Sequence, residues 1–199
     1  MDIFVADIND FKGHMERLLP QLPEARQQRI LRAPTEEKKL LTLCGGVLLR
    51  SVAGDAPLAH GDHGKPYLPH GPHFSLSHAG ELAVLAVSDA PVGVDVEKPR
   101  PMTEAVIRRV LQEDERQWMA ADPQHRFFRL WTRKEAVLKC CGRGLSLAMD
   151  SFRVLPGDTP TADGMICHLT TMEHKGHILS AASAAGNRQC RLIPFYPEE

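Results

Sequence analysis

The sequence lacks any long apolar segment and carries almost no net charge. No window approaches about 18 uninterrupted apolar residues, and residues 1–10 have no basic start followed by a long apolar run. We therefore predict neither a membrane-spanning helix nor a signal peptide. A formal net charge of -1 offers no basic field for nucleic acid. These absences favour a cytoplasmic protein whose partners are neither membranes nor nucleic acids.

Paired cysteines are also lacking. The five cysteines are odd in number and contain no Cys-x-x-Cys motif, which predicts reduced thiols. His60, His63, His70 and His73 have spacings seen among metal ligands, but no cysteines accompany them. A solvated histidine-rich loop is therefore favoured over a zinc site.

Apolar periodicity predicts an α+β protein with mainly antiparallel strands. The chain has 199 residues, of which 43% are hydrophobic and 25% charged, enough for one domain or two small ones. Helices are predicted at 23–32, after a Thr35 cap, at 103–119 and at 126–141. Strands are predicted at 2–6, 74–77, 82–87, 92–97, 152–154, 166–171, 178–182 and 189–193, with a loop at 54–72.

The strand at 92–97 carries the first informative motif, Gly93-Val94-Asp95-Val96-Glu97. Side chains alternate faces along a strand, so the valines share one face and the two acids the other. The acids start about 6.6 Å apart, a separation that two carboxylates can close onto one ion. Gly93, on the acid face, leaves room for a bulky group.

The helix at 126–141 carries the second motif, Trp131-Thr132-Arg133-Lys134-Glu135-Ala136-Val137-Leu138-Lys139. Glu135 and Lys139 are four residues apart, so their side chains emerge on one face. Each motif alone is more often ordinary surface, since a Glu with a Lys four residues later is usually a weak exposed ion pair. Their combination points to metal-assisted chemistry on a phosphate.

Together the two motifs resemble the signature of the 4'-phosphopantetheinyl transferase superfamily, specifically its Sfp-type branch. Three further segments are similar to motifs of that family and occur in the family's order. They are Gly64-Lys65-Pro66, Phe74-Ser75-Leu76-Ser77-His78-Ala79-Gly80 and Gly142-Arg143-Gly144-Leu145-Ser146-Leu147.

The resemblance implies the 4'-phosphopantetheinyl transferase fold, in which two similar α+β halves form an intramolecular pseudo-dimer. Residues 1–98 would be the half that binds coenzyme A and carries the strand with the first metal ligands. Residues 99–199 would be the half whose helix carries Glu135 and Lys139. The active site would lie at the seam, and a monomer is expected.

The resemblance also implies an activity. Such enzymes move the 4'-phosphopantetheine arm of coenzyme A onto a serine of an apo acyl or peptidyl carrier protein. The reaction depends on Mg²⁺ and releases adenosine 3',5'-bisphosphate. The carrier would belong to fatty-acid, polyketide or nonribosomal-peptide synthesis, and the sequence leaves that choice open.

The resemblance implies a role for each residue of the motifs. Asp95, Glu97 and Glu135 would hold Mg²⁺, and Lys139 would bind phosphate or assist the leaving group. Glu135 would be the general base, directly or through a water on the ion. Lys65 and Pro66 would line the nucleotide pocket, while Ser77 and His78 would meet phosphate oxygens. For the 3'-phosphate the motif match is incomplete, and the candidates are Arg26, Arg29 and Arg32.

The sequence leaves two other functions open. A metal-dependent phosphodiesterase or nuclease would also use clustered carboxylates, although the near-neutral charge argues against a nucleic-acid substrate. A noncatalytic carrier-protein-binding relative would be expected to have lost an acid or the lysine. Asp95, Glu97, Glu135 and Lys139 are all present.

Overall fold

The computed structural model describes residues 1–186 and 189–197. Its strands are β1 Asp2–Asp7, β2 Ala59–His60, β3 Pro66–Tyr67, β4 His73–Ala79, β5 Leu82–Ser88, β6 Val92–Glu97, β7 Thr161–Ala162, β8 Met165–Ile166, β9 His168–His174, β10 His177–Ser183 and β11 Arg191–Pro194. Its α-helices are α1 Met15–Leu18, α2 Glu24–Leu31, α3 Glu36–Ala53, α4 Glu104–Val110, α5 Glu113–Met119 and α6 Pro123–Cys141. Short 3₁₀ helices lie at Ile8–Phe11, Leu19–Gln21, Gly144–Ser146 and Met149–Ser151.

Two main sheets organise the strands. The first has the order β11-β1-β5-β4 and the second the order β6-β10-β9. Neighbouring strands are antiparallel except β1 and β11, which are parallel. The α+β class predicted from the sequence is confirmed. By its hydrogen bonds β6 belongs to the second sheet, and the division into halves at residue 98 stays a prediction.

Each main sheet is covered by one long helix. Helix α3 begins after Thr35, whose side chain accepts a hydrogen bond from the Lys38 N–H, and it packs on the first sheet. Helix α6 packs on the second sheet and ends at Gly142, which adopts the left-handed conformation that glycine favours. The helix cap predicted at Thr35 and the end predicted at residue 141 for the helix after 126 are therefore confirmed.

Strand β6 lies between the first sheet and α6, so both of its faces are covered. Its three valines pack into a core with residues of β1 and β5, as the alternation predicts. The acid face is covered by α6 instead of opening directly to solvent, and Asp95 is buried. The position of α6 therefore decides which parts of the acids a ligand can reach.

Gly93 brings β6 and α6 into close contact. A Cβ added at Gly93 would lie 1.9 Å from the Ala136 carbonyl oxygen and 2.5 Å from the Cys140 backbone nitrogen. The space predicted beside the acids is thus filled by the backbone of α6 and is not left for a ligand. The glycine sets how closely the helix approaches the strand.

A buried ion pair anchors α6 from its other side. Lys134 and Glu115 are both 0% exposed, and Lys134 Nζ lies 2.8 Å from Glu115 Oε2. The same ammonium donates to the backbone carbonyl oxygens of Met149 and Phe152. Glu115 Oε1 accepts from the Val154 N–H. Because every group in this network is paired, it fixes the 149–154 segment against the helix.

We predict that Lys134→Met destabilises the protein by about 3–5 kcal/mol, because it leaves the Glu115 carboxylate buried without a positive partner. The free energy of unfolding in urea measures this loss. Arg108→Met is the matched control, since the Arg108–Glu104 pair is exposed and worth at most about 1 kcal/mol. Equal losses in the two variants would contradict the assignment of Lys134 as an internal anchor.

Two secondary-structure predictions were wrong. Residues 152–154 form no strand, because side chains of α5 and α6 take the backbone hydrogen bonds that a neighbouring strand would otherwise receive. The single helix predicted at 103–119 is two helices, α4 and α5. The break occurs at Gln112, which forms a capping box with Glu115 and starts α5 anew.

Smaller differences concern the bounds of elements. The predicted 54–72 loop contains the β2–β3 hairpin, and the predicted strand at 166–171 is divided between β8 and β9. Within the described part of the chain, no helix is long and apolar enough to cross a membrane.

Candidate active site

The site centres on the buried carboxylate of Asp95, in the middle of β6. Asp95 is 5% exposed, and its Oδ1 accepts hydrogen bonds from Lys139 Nζ at 2.7 Å and Ser77 Oγ at 2.8 Å. Lys139 Nζ also donates to Ser77 Oγ and to the Val94 carbonyl oxygen, each at 3.1 Å. Asp95 Oδ2 is buried and has no hydrogen-bond partner among the described residues.

Asp95, Glu97 and Glu135 form an electrostatically coupled group. Burial raises the pKa of Glu135, and the Asp95 and Glu97 carboxylates raise it further against the opposing effect of Lys139. Burial likewise raises the pKa of Asp95, and Lys139 only partly offsets this effect. Glu97, at the end of β6, accepts from Arg100 at 2.6 Å. The structure therefore brings the three predicted acids and Lys139 into one electrostatic cluster.

These acids have the chemistry of a Mg²⁺ site. Mg²⁺ prefers oxygen ligands and takes some of them from carboxylates and phosphates. The orphaned Oδ2 of Asp95 is a carboxylate oxygen without a competing hydrogen bond, and a dication would relieve the repulsion that helps to raise the pKa values of Asp95 and Glu135. Within residues 1–186 and 189–197, no group of three His, Cys, Asp or Glu side chains already stands as a metal cluster. Glu97, bound to Arg100, would have to turn inward to join one.

Lys65 lies at the junction of β6 and α6. Its Nζ donates to the Val92 carbonyl oxygen at 2.9 Å, with the Cys140 carbonyl oxygen at 3.5 Å. Burial lowers the pKa of Lys65. The ammonium thus ties the β3 region, which includes Pro66, to the strand and helix that carry the acids.

Ser77 and His78, adjacent on β4, have different surroundings. Ser77 is 8% exposed and faces Asp95, whereas His78 is exposed and points to the other face of the strand. The structure therefore brings Ser77 to the acids and leaves His78 outside that cluster. The phosphate contact predicted for His78 stays a prediction.

A cleft of about 370 Å³ adjoins the cluster at Lys139. Its cationic and histidine lining consists of Arg26, Arg29, His63, Lys65 and Lys139. Its remaining walls are mostly apolar, and none of its described lining residues carries a carboxylate. A larger cavity of about 500 Å³ lies around Cys140 and Met165, but neither Lys139 nor Asp95 lines it. The smaller cleft is thus suited to hold an anion next to the acids.

The arginines of this cleft come from α2, far from the acids in sequence. Burial lowers the pKa of Arg26, and the nearby Arg29 adds to the effect. Neither arginine forms an ion pair with a described residue, whereas Arg32, the third candidate, is not part of the lining. All three arginines were candidates from the sequence, and no sequence pattern separates Arg26 and Arg29 from Arg32.

Comparison with known proteins identifies the part of the chain that contains β6 and α6. The 4'-phosphopantetheinyl transferase superfamily matches residues 91–185, which include both motifs. A 4'-phosphopantetheinyl transferase of Bacillus subtilis is 33% identical over 156 residues, covering 71% of this chain and 70% of that protein. The transferase Sfp of Bacillus subtilis strain 168 is 32% identical over 153 residues, covering 70% and 68%.

A solved structure, that of the holo-[acyl-carrier-protein] synthase of Thermotoga maritima, is similar to this one over 47% of this chain and 61% of the synthase chain. The overlap has 18% identity and a TM-score of 0.37, and the family assignment does not depend on it. The sequence matches extend over more than two thirds of both Bacillus proteins, and the matched region holds Asp95, Glu97, Glu135 and Lys139. On this basis the chain belongs to the 4'-phosphopantetheinyl transferase superfamily.

Proposed function

We propose that this protein transfers the 4'-phosphopantetheine arm of coenzyme A to a serine of an apo carrier protein, with Mg²⁺, and releases adenosine 3',5'-bisphosphate. The observation that carries the proposal is the buried Asp95, whose Oδ2 is free, linked through Lys139 to a cleft lined by cations. Coenzyme A presents a diphosphate and a 3'-phosphate. Such an anion would meet positive side chains and no carboxylate among the described residues that line the cleft.

Asp95, Glu97 and Glu135 would hold the ion. When bound, Mg²⁺ supplies positive charge to the diphosphate and to the acids themselves. The protein keeps Asp95 Oδ1 hydrogen-bonded to Ser77 and Lys139, so that Oδ2 is the oxygen left to bind the ion. Positioning of this kind is the main contribution of proteins to phosphoryl-transfer chemistry.

Glu135 is suited to remove the proton of the carrier serine. Its pKa is raised, chiefly by burial, and no hydrogen bond within the described chain occupies its carboxylate. A base is most effective when its pKa approaches the working pH, so this shift favours proton abstraction. Lys139, one turn later on α6, lines the cleft, and its N–H groups are donated to Asp95, Ser77 and the Val94 carbonyl oxygen. We therefore assign its ammonium to stabilising the charge of a phosphate leaving group through space, without a direct hydrogen bond.

We predict that transfer is lost at acid pH, earlier than ordinary carboxylates would cause. The pKa values of Asp95 and Glu135 are raised, so both acids bind protons at a pH where an exposed acid is still ionised. Single-turnover rates measured against pH test this. Raising the Mg²⁺ concentration should move the acid limb to lower pH, because a dication favours the ionised acids. An acid limb that ignores Mg²⁺ would contradict the prediction.

We predict that Arg26→Ala and Arg29→Ala each raise the KM for coenzyme A about tenfold, the effect of losing one charge-assisted hydrogen bond. The 3'-phosphate is the expected partner, so the same variants should bind 3'-dephospho-coenzyme A as the wild type does. Arg32→Ala is the matched control, because Arg32 is exposed and outside the cleft lining. Equal effects on both nucleotides would assign these arginines to the diphosphate instead.

The partner we propose is an apo acyl or peptidyl carrier protein, acted on by a monomer in the cytoplasm. Between residues 132 and 140 of α6, Glu135 and Lys139 are the partly exposed side chains, and Lys139 lines the cleft from which a serine would approach. A panel of apo-carriers from fatty-acid, polyketide and nonribosomal-peptide synthesis identifies the client.

The deciding experiment incubates the protein with coenzyme A, MgCl₂ and this panel, and follows carrier mass and nucleotide release. A carrier that gains the phosphopantetheine arm, together with adenosine 3',5'-bisphosphate, supports the proposal. Hydrolysis of coenzyme A or of a phosphodiester without carrier modification would favour the phosphodiesterase alternative. Carrier binding without any chemistry would favour the noncatalytic alternative.

A further inference from the structure

We infer that Ser77 is a positioning residue that fixes Asp95 for the metal, and that its hydroxyl does not contact a phosphate. This inference rests on the proposed function, because it takes Asp95 as a metal ligand. It replaces the role that the sequence motif implies for Ser77.

The hydroxyl of Ser77 has no proton left for a phosphate. A serine hydroxyl carries one O–H proton and two acceptor lone pairs. Ser77 Oγ donates to Asp95 Oδ1 at 2.8 Å and accepts from Lys139 Nζ at 3.1 Å. A phosphate oxygen requires a donor, and the single proton is already bound to Asp95.

These hydrogen bonds leave Asp95 Oδ2 as the carboxylate oxygen that would bind the metal ion. Asp95 Oδ1 receives both Ser77 and Lys139, whereas Oδ2 is buried without a partner in the described chain. An unpaired buried carboxylate oxygen is costly, and a ligand that completes it would recover that cost. Ser77, together with Lys139, therefore selects which oxygen of Asp95 would bind the ion. Groups that orient a ligand in this way typically change metal affinity by about 10–100-fold.

The same strand supplies a matched control in Ser75. Ser75 is 5% exposed, lies on the same face of β4, and its Oγ accepts from the Val94 N–H at 3.1 Å. Ser75→Ala therefore removes a buried hydrogen bond between β4 and β6 without touching Asp95. It reproduces the structural cost of losing a serine at this seam. Because Ser75 also lines the cleft, Ser75→Ala and Ser77→Ala are compared at saturating coenzyme A.

The test measures Mn²⁺ binding by electron paramagnetic resonance, with coenzyme A present and no carrier. Ser77→Ala is expected to weaken Mn²⁺ binding about 10–100-fold and to lower kcat with little change in the KM for coenzyme A. Ser77→Thr, which keeps the hydroxyl, should restore much of the affinity. Ser75→Ala should lower the Tm to a similar extent as Ser77→Ala while it keeps the wild-type Mn²⁺ affinity.

Three results would overturn the inference. Ser77→Ala with unchanged Mn²⁺ affinity and a raised KM for coenzyme A would return the hydroxyl to a phosphate. Equal loss of Mn²⁺ in Ser75→Ala would show a general displacement of β4, and a wild-type protein that binds no Mn²⁺ would remove the site. Failure of the proposed function is separate: wild-type protein that binds Mn²⁺ in a Ser77-dependent manner but modifies no carrier would refute only the function.

Discussion

Asp95→Asn is expected to lower phosphopantetheine transfer by about 10²–10³-fold or more, the range for removal of one group that stabilises transition-state charge. The amide keeps the shape of the side chain but loses the charge that attracts a dication. Glu135→Gln should cause a loss of similar size, because it removes both a metal oxygen and the proposed base. Transfer to an apo-carrier, followed by mass spectrometry under single-turnover conditions, measures both.

The fold should survive these changes. Asp95 is buried with a raised pKa, so a neutral amide relieves an unfavourable charge even though Lys139 loses its partner. Glu104→Gln is the control for the change in charge, since Glu104 is exposed on α4 and, among the described residues, pairs with Arg108 alone. Circular dichroism should be unchanged in all three variants. Turnover near the wild-type rate in Asp95→Asn would refute the assigned site.

Gly93→Ala is expected to cost more than about 4 kcal/mol of stability, which places it among the most damaging single substitutions. The new Cβ would lie 1.9 Å from the Ala136 carbonyl oxygen, and that atom is backbone, which cannot rotate away. Helix α6 would have to move off β6 and would carry Glu135 and Lys139 with it. Activity should therefore be lost together with stability, as urea unfolding and the transfer assay will show.

Gly45→Ala provides the contrast within α3. Its added Cβ would meet only the flexible end of Leu76 at 3.3 Å, and alanine favours a helix over glycine by about 1 kcal/mol. We expect its stability to stay within about 1 kcal/mol of the wild type. If Gly93→Ala were as well tolerated as Gly45→Ala, the contact between β6 and α6 would not be as close as described.

Local patterns in the sequence predicted the elements that carry the site. The alternation of valines and acids gives β6 with its bounds and its two faces, because a strand's period is a property of its own residues. The four-residue spacing of Glu135 and Lys139 gives their common side of α6. That the acids of β6 and the two residues of α6 come together in one site follows from the motif resemblance, since neither the strand period nor the helix period contains this information.

What failed depended on contacts between distant residues. The segment at 152–154 has extended character, but Lys134 and Glu115 take its backbone groups, and nothing near Val154 in sequence announces this. Gly93 suggests free space, and only the three-dimensional packing fills that space with a helix. Likewise, Arg26 reaches the cleft beside Lys139 across more than half of the chain, so no local pattern relates the two.

The parallel pairing of β11 with β1 has a consequence for biosynthesis. Residues 191–194 are translated long after β1, yet they hydrogen-bond to that strand, and Arg191 forms an ion pair with Asp2 at 2.8 Å. On the ribosome, one side of β1 would therefore stay open until residues 191–194 have been translated. Open strand edges recruit other chains. Aggregation during overexpression should thus be sensitive to chaperone supply and to truncation within 191–194.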